Sequence, residues 1–449
     1  MKINRMFGVF LVLVLPLVLT GCMTMASVED LYALPRLPEE YQALGKLIDT
    51  ILTEGAEMTS PTSGTNLQSV QIQDLDGDGV SEAIAFFRSN ISERPMKICI
   101  FRELNETYEI AAVIEGSGTS IHSISYLDMN GDGIKEILTS WRVGTQQALT
   151  IHGLEGLSPV LLMSAAYVRY ETADLDGDGG LELVVLRGDE VETGSSMADY
   201  YDWDGASLLL KSGTRLSVTV GELQWMQIGR LESGESAVFI TGRVAGVEET
   251  SRAVTDILIH RDSELINIVW SQSTGISSQI ARYSGIQPAD IDGDGAIEVP
   301  NTAALPVTES GEDMWKIYWY DYCADGSAAR SVITYHNLID NWYLLIPEAW
   351  DGHFTVVQNN TGTTEHATTF YSLSGRSADK VLLTVYTLTG DNRDTQAVKD
   401  GRTVVLRQSG AVYAIEFGPN YANWRYTVDV SELIARFNVI TAPWSTGEE

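Results

Sequence analysis

The chain is predicted to be mainly β: a β-propeller of about five four-stranded blades, preceded by a helix and followed by a small α+β domain. Three observations lead there. A nine-residue acidic pattern occurs four times, at starts 74, 128, 174 and 290, and such self-similarity marks a repeat architecture. Each unit holds four short runs rich in β-branched and aromatic residues, punctuated by Gly and Asp, which read as strands. The same stretches lack the periodicity of amphipathic helices, which removes helical solenoids and leaves a propeller blade as the pattern.

The elements follow in order. Residues 1–21 read as a signal peptide, with Lys2 and Arg5 ahead of an apolar run from Met6 to Leu19 that is too short for an ordinary membrane span. Leu19-Thr20-Gly21-Cys22 resembles a bacterial lipobox. That resemblance implies lipidation of Cys22, attachment to membrane through this lipid, and a location on the extracytoplasmic face of a bacterial cell membrane. Residues 22–59 form the tether. Within it, 38–57 reads as one amphipathic helix, with Pro38 in its first turn, Glu39 and Glu40 beside it, and Tyr41, Leu44, Leu47, Ile48 and Ile51 on one face.

The propeller is expected over 60–336. The interval before the last acidic pattern is double the others, so a degenerate unit is expected near 230, where Gly229–Val238 fits. In the second unit the strands read Ile121–Leu127, Glu136–Val143, Ala148–His152 and Val160–Val168. Residues 337–449 read as the α+β domain. Its strands are Trp342–Ile346, Phe354–Val357, Thr368–Leu373, Val381–Thr387, Thr403–Leu406 and Val412–Phe417, and Val430–Phe437 is its closing helix.

The acidic pattern is cation chemistry. Oxygens at positions 1, 3, 5 and 9, with a backbone carbonyl at 7, converge on one point and suit a hard cation, Ca²⁺ before Mg²⁺. The ligands so assigned are Asp74, Asp76, Asp78, Val80 and Glu82 in the first loop and Asp128, Asn130, Asp132, Ile134 and Glu136 in the second. They are Asp174, Asp176, Asp178, Gly180 and Glu182 in the third, and Asp290, Asp292, Asp294, Ala296 and Glu298 in the fourth. An EF-hand needs its Glu at position 12, where Ala85, Thr139, Val185 and Asn301 stand instead. About four structural Ca²⁺ ions are expected. These loops resemble those of FG-GAP/VCBS repeats, the calcium-binding blades of integrin α-type propellers. The resemblance covers the four loops only, because the Phe-Gly and Gly-Ala-Pro signatures are missing and five units stand in place of seven.

Composition narrows the function. The 449 residues carry 61 acidic and 29 basic side chains, a formal charge of −32, and no basic run that would bind phosphates, so nucleic acid is excluded as a partner. Cys99 and Cys323 lie in apolar runs and read as buried thiols. The six histidines are scattered, and no GxSxG, P-loop or HExxH pattern occurs. No catalytic residue is assigned. The expected function is therefore a non-catalytic, lipid-anchored binding or scaffold protein at the cell surface, with a surface protein or glycan as ligand. The alternative is a polysaccharide-acting hydrolase or lyase using carboxylates on the propeller face.

Overall fold

The computed structural model describes residues 41–441 apart from 90–92, 106, 189–195, 245–251, 279, 283–284, 307–313, 361, 363, 376 and 400. Cys22 and residues 1–21, the stretch expected to be a signal peptide, lie outside the described residues.

The structure is mainly β. The second repeat forms the sheet Ser120–Leu127, Glu136–Val143, Gln146–Glu155 and Ser158–Tyr167, each strand paired antiparallel with the next. The first sheet runs through Glu82–Ser89, Met96–Leu104 and Thr107–Gly116, with Ala56–Thr59 and Val70–Gln73 both pairing the first of these. The third comprises Arg169–Ala173, Glu182–Gly188, Ser196–Trp203 and Leu208–Leu216. The fourth occupies the interval of the degenerate repeat, with Val218–Arg230 and Ser236–Val244 as its opening hairpin. Leu231 in that turn is buried as Leu75, Met129, Leu175 and Ile291 are in the acidic loops, so the apolar anchor outlasts the lost acids.

The closed five-bladed propeller is corrected: the sheets stand in linear order. Buried clusters join them pairwise. Ile100 and Ile114 meet Ile121 and Trp141, Leu149 and Ile151 meet Leu183 and Val185, Val184 meets Val238 and Ile240, and Phe239 and Ile257 meet Val299 and Tyr322. Among the described residues no strand pairing joins the first sheet to the fifth, which runs Val299–Ala304, Trp315–Tyr322, Ala328–Asn337 and Trp342–Ile346. The physical reason is that both ends of the series already have partners. The first sheet is covered by helix α1 (Gln42–Thr53), whose Leu44 and Ile48 pack on Ala83, Ala85, Phe87 and Phe101. At the other end, Trp342–Ile346 closes the fifth sheet by pairing with Phe437–Val439 near the chain's end. Its Leu344 and Ile346 pack with Phe354, Phe370 and Val385 of the C-terminal sheet.

The C-terminal part is likewise corrected from α+β toward β. It is a five-stranded antiparallel sheet of Phe354–Asn359, Glu365–Ser374, Ser377–Leu388, Val412–Phe417 and Arg402–Arg407. Among the described residues two short α-helices accompany it, α2 (Arg393–Ala397) and α3 (Val430–Ala435). Pro300 sits in the edge strand Val299–Ala304 opposite Trp319, where a missing N–H costs no ladder bond. Cys99 is buried, which pushes its thiol up to about 11, and Cys323 is half-buried; both are free.

Candidate functional site

Each acidic loop turns between two strands and is organised by its own carboxylates. In the first, Asp74 accepts from Gly77 N–H through Oδ1 (2.9 Å) and from Gly79 N–H through Oδ2 (3.1 Å). Asp78 accepts from Val80 N–H at 2.7 Å. The fourth loop repeats this with Asp290 on Gly293 and Gly295, and Asp294 on Ala296. Position 9 folds back in all four loops: Glu82, Glu136, Glu182 and Glu298 each accept through Oε2 from the N–H of the apolar anchor, at 2.6–2.9 Å. The anchor, buried in the core, thus fixes where the glutamate stands.

Successive loops are tied to one another. The N–H of Lys135 donates to the Leu75 carbonyl (2.8 Å) and that of Leu181 to the Met129 carbonyl (2.6 Å). Gly77, at φ +72°, brings its Cα so near the next loop that a Cβ would lie 2.6 Å from the Gly133 carbonyl oxygen. Only glycine suits both the dihedral and the approach.

Three loops gather carboxylate oxygens that lie within 4.8 Å of one another: Asp74, Asp76 and Asp78; Asp174, Asp176, Asp178 and Glu182; and Asp290, Asp292, Asp294 and Glu298. These three clusters can chelate a divalent cation. Three acidic clusters are thus gathered among the described residues, and the second loop differs by its asparagine. Its Asn130 turns its amide to donate to Asp132 at 3.1 Å, a neutral donor where the other loops place a third carboxylate. Val80, Ile134, Gly180 and Ala296 all present their N–H groups to the loop aspartates.

The structure adds two acids outside the pattern. Asp202 follows Tyr201, the cross-strand partner of Leu183, and so stands opposite Glu182. Asp321 stands likewise opposite Glu298, one step beyond the Val299–Tyr320 pair. Burial, and then the neighbouring acids, hold Glu182 up at about 7 and Glu298 up at about 8, although each accepts a backbone hydrogen bond that works the other way. Asp321 is raised by burial first and then by Glu232, Asp292 and Asp294. Glu298 Oε1 and Asp321 Oδ1 are buried and accept no hydrogen bond from a donor. The sequence held one hint of these acids: both follow a tyrosine in the aromatic strand that leads to an Asp-Gly turn, Asp204-Gly205 or Asp325-Gly326.

The histidines also change standing. His366, unpartnered to the eye in sequence, lies 2.7 Å through Nδ1 from Asp340 Oδ1. In strand Trp315–Tyr322 the aromatic side chains of Trp319 and Tyr322 are buried in the core, and Trp319 Nε1 donates to Thr334 Oγ1.

No protein-family model matches the chain, and no curated protein matches it, which overturns the expected membership among FG-GAP/VCBS propellers of bacterial lipoproteins. Solved structures give remote likenesses. Exotype rhamnogalacturonan lyase YesX is 10% identical with a TM-score of 0.29, covering 80% of this chain and 91% of that one. Rhamnogalacturonan lyase YesW is 10% identical at 0.28, covering 80% and 90%. The Dos1 propeller is 9% identical at 0.27, covering 80% and 82%. At such scores the likenesses assign neither fold nor activity.

The reading as a non-catalytic scaffold is corrected on the chain's own chemistry. Two sites oppose a buried loop glutamate to a second carboxylate from a neighbouring strand. Paired carboxylates in unlike environments are the raw material of acid–base catalysis on glycosidic bonds.

Proposed function

We propose that this protein is a divalent-cation-dependent enzyme acting on polysaccharide, a hydrolase or lyase. Ca²⁺ is the cation, held by the first, third and fourth acidic loops. The observation that carries the reading is the Glu298–Asp321 arrangement. A buried glutamate and a strand aspartate face one another side chain to side chain, beside Asp290, Asp292 and Asp294. Oxygen-only donors at flexible distances favour Ca²⁺ over the softer transition metals. In this arrangement the loop acids hold the cation, and Asp321 stands beside it as the group able to move a proton to or from a bound sugar. With a chain charge of −32, a bound cation is also what lets an anionic sugar approach the loops. An extracytoplasmic location belongs to the same proposal, supported by the Lys2, Arg5 and Met6–Leu19 pattern.

The test is turnover of neutral and uronate-containing polysaccharides by the full chain, with Ca²⁺ or with EDTA. New reducing ends alone indicate a hydrolase, and unsaturated uronides indicate a lyase. Asp321→Asn is expected to lower turnover at least a hundredfold, with Ca²⁺ binding at the first and third loops retained. Turnover unchanged in Asp321→Asn, or no turnover of any polysaccharide by a calcium-loaded protein, sinks the proposal.

A further inference from the structure

Away from the acidic loops, a cavity of about 730 Å³ opens where the turn after strand Ala328–Asn337 meets one end of the C-terminal sheet. Asp340 and His366 form part of its wall, with Thr364, Thr387, Thr389 and Ser409 around them. Its volume falls in the range of small-molecule sites.

The titratable side chains in this wall are already bonded to protein groups. Asp340 has a side chain only 5% exposed. Its Oδ1 meets His366 Nδ1, and its Oδ2 accepts from Asn337 Nδ2 at 2.9 Å. His366 Nε2 faces the Gly362 carbonyl at 3.1 Å. Both ring nitrogens therefore meet an oxygen of the protein, and the ring is held at both ends. The Tyr413 hydroxyl is spent as well, donating to the Asp340 carbonyl at 3.0 Å. What remains for a ligand is neutral. Among the described residues, the hydroxyls of Thr364, Thr387, Thr389 and Ser409 make no hydrogen bond within the protein. The amides of Asn341 and Gln408 stand beside them, and Ile339 and Ala411 supply apolar surface.

Several free hydroxyls and amides, an apolar flank and an Asp340–His366 pair already bonded within the protein describe one kind of ligand. We propose that this cavity binds an uncharged saccharide, with the hydroxyl rim exchanging hydrogen bonds with sugar hydroxyls. The site needs no cation and no turnover, so it goes beyond the reaction proposed above and stands or falls separately from it. The Asp340–His366 pair is a positioning element. It fixes the turn that carries Ile339 and Asn341 and does not itself take a proton from the ligand.

The experiment is saturation-transfer NMR on the full chain in EDTA, with cellobiose and xylobiose as neutral probes and digalacturonate as the charged one. Both the measurement and the buffer exclude cation-dependent turnover, so failure here is distinct from failure of the enzymatic reading. The neutral sugars are expected to receive saturation and digalacturonate at least tenfold less. Gly410→Phe blocks the cavity without strain, because a Cβ at Gly410 meets nothing within 4 Å; it is expected to weaken neutral-sugar binding at least tenfold. The paired change Thr389→Val and Ser409→Ala removes two hydroxyls from the rim and is expected to weaken binding at least threefold even if Gly410→Phe folds poorly. The proposal is overturned if no neutral sugar receives saturation, if a folded Gly410→Phe protein binds as the parent does, or if digalacturonate binds more tightly.

Discussion

Glu298 carries two duties in one carboxylate. Oε2 accepts from Ile291 N–H at 2.8 Å, while Oε1 is buried with no donor. In the cation-free protein its raised value means that its ionised form is disfavoured on folding. The stability linked to it is therefore full below the unfolded value of roughly 4.3, and is lost as pH rises through about 8. Thermal melts in EDTA should thus show a falling Tm across that window, and Glu298→Gln should flatten the fall. An unchanged slope in the variant would show that another group is responsible.

Asp351 has the opposite sign. Burial alone would raise it, but hydrogen bonds from Lys316, Tyr318 and Arg330 together hold it below the usual carboxylate range. Its contribution is present above the unfolded value of roughly 3.9 and lost as pH falls through its lower folded value. Asp351→Asn should accordingly reduce stability at neutral pH and blunt the acid-side loss in urea titrations.

Asp256 is wholly buried and accepts from Ser217 N–H (2.7 Å), Ser217 Oγ (2.8 Å) and Asn267 Nδ2 (2.7 Å). Asp256→Ala strands these donors and should cost roughly 3–5 kcal/mol in urea unfolding. No sequence pattern marks Asp256. Its role arises because residues 39 positions apart meet across the fourth sheet.

At the scale of elements, the acidic loops were legible residue by residue, because their spacing is local: every bond from position 1, 5 or 9 closes within seven residues. The strands of the second sheet were also legible, with Glu136–Val143 found where alternation and β-branching placed it. Loop inequality was less so. Asn130 looks like a conservative variant of aspartate, yet its amide donates inward to Asp132. Calorimetric titration should therefore find three Ca²⁺ ions bound well and the second loop weakest, and Asn130→Asp should strengthen the second loop at least tenfold. Residues 38–40 of the expected helix lie outside the described residues, and of α1 Leu44 and Ile48 are the ones buried on the first sheet. Leu44→Ala should cost roughly 2–5 kcal/mol, read as faster amide exchange concentrated in α1 and in Met96–Leu104 beneath it.

Across the whole molecule, the sheets form a chain of pairwise cores whose ends are covered by α1 and by the C-terminal sheet. Backbone bonds between neighbouring loops, such as Leu181 N–H to the Met129 carbonyl, run along the same series. Neighbouring loops are thus tied to one another through their backbones. Removing Ca²⁺ leaves three or four carboxylates per cluster repelling one another within 4.8 Å, so EDTA should lower Tm and excess Ca²⁺ should restore it with the concentration dependence of mass action.

The sequence by itself determined the β character, the repeat and the four acidic loops, because each depends on residue type and short spacing. It also carried the degenerate fourth unit, through Leu231. Only the tertiary structure decided that the series stays open. Closure depends on which faces are already buried, and Leu44 and Leu344 bury the two terminal ones. It alone brought Asp321 to Glu298 and His366 to Asp340. Those pairs come from strand register and from a turn meeting a distant sheet, and distance along the chain says nothing of either.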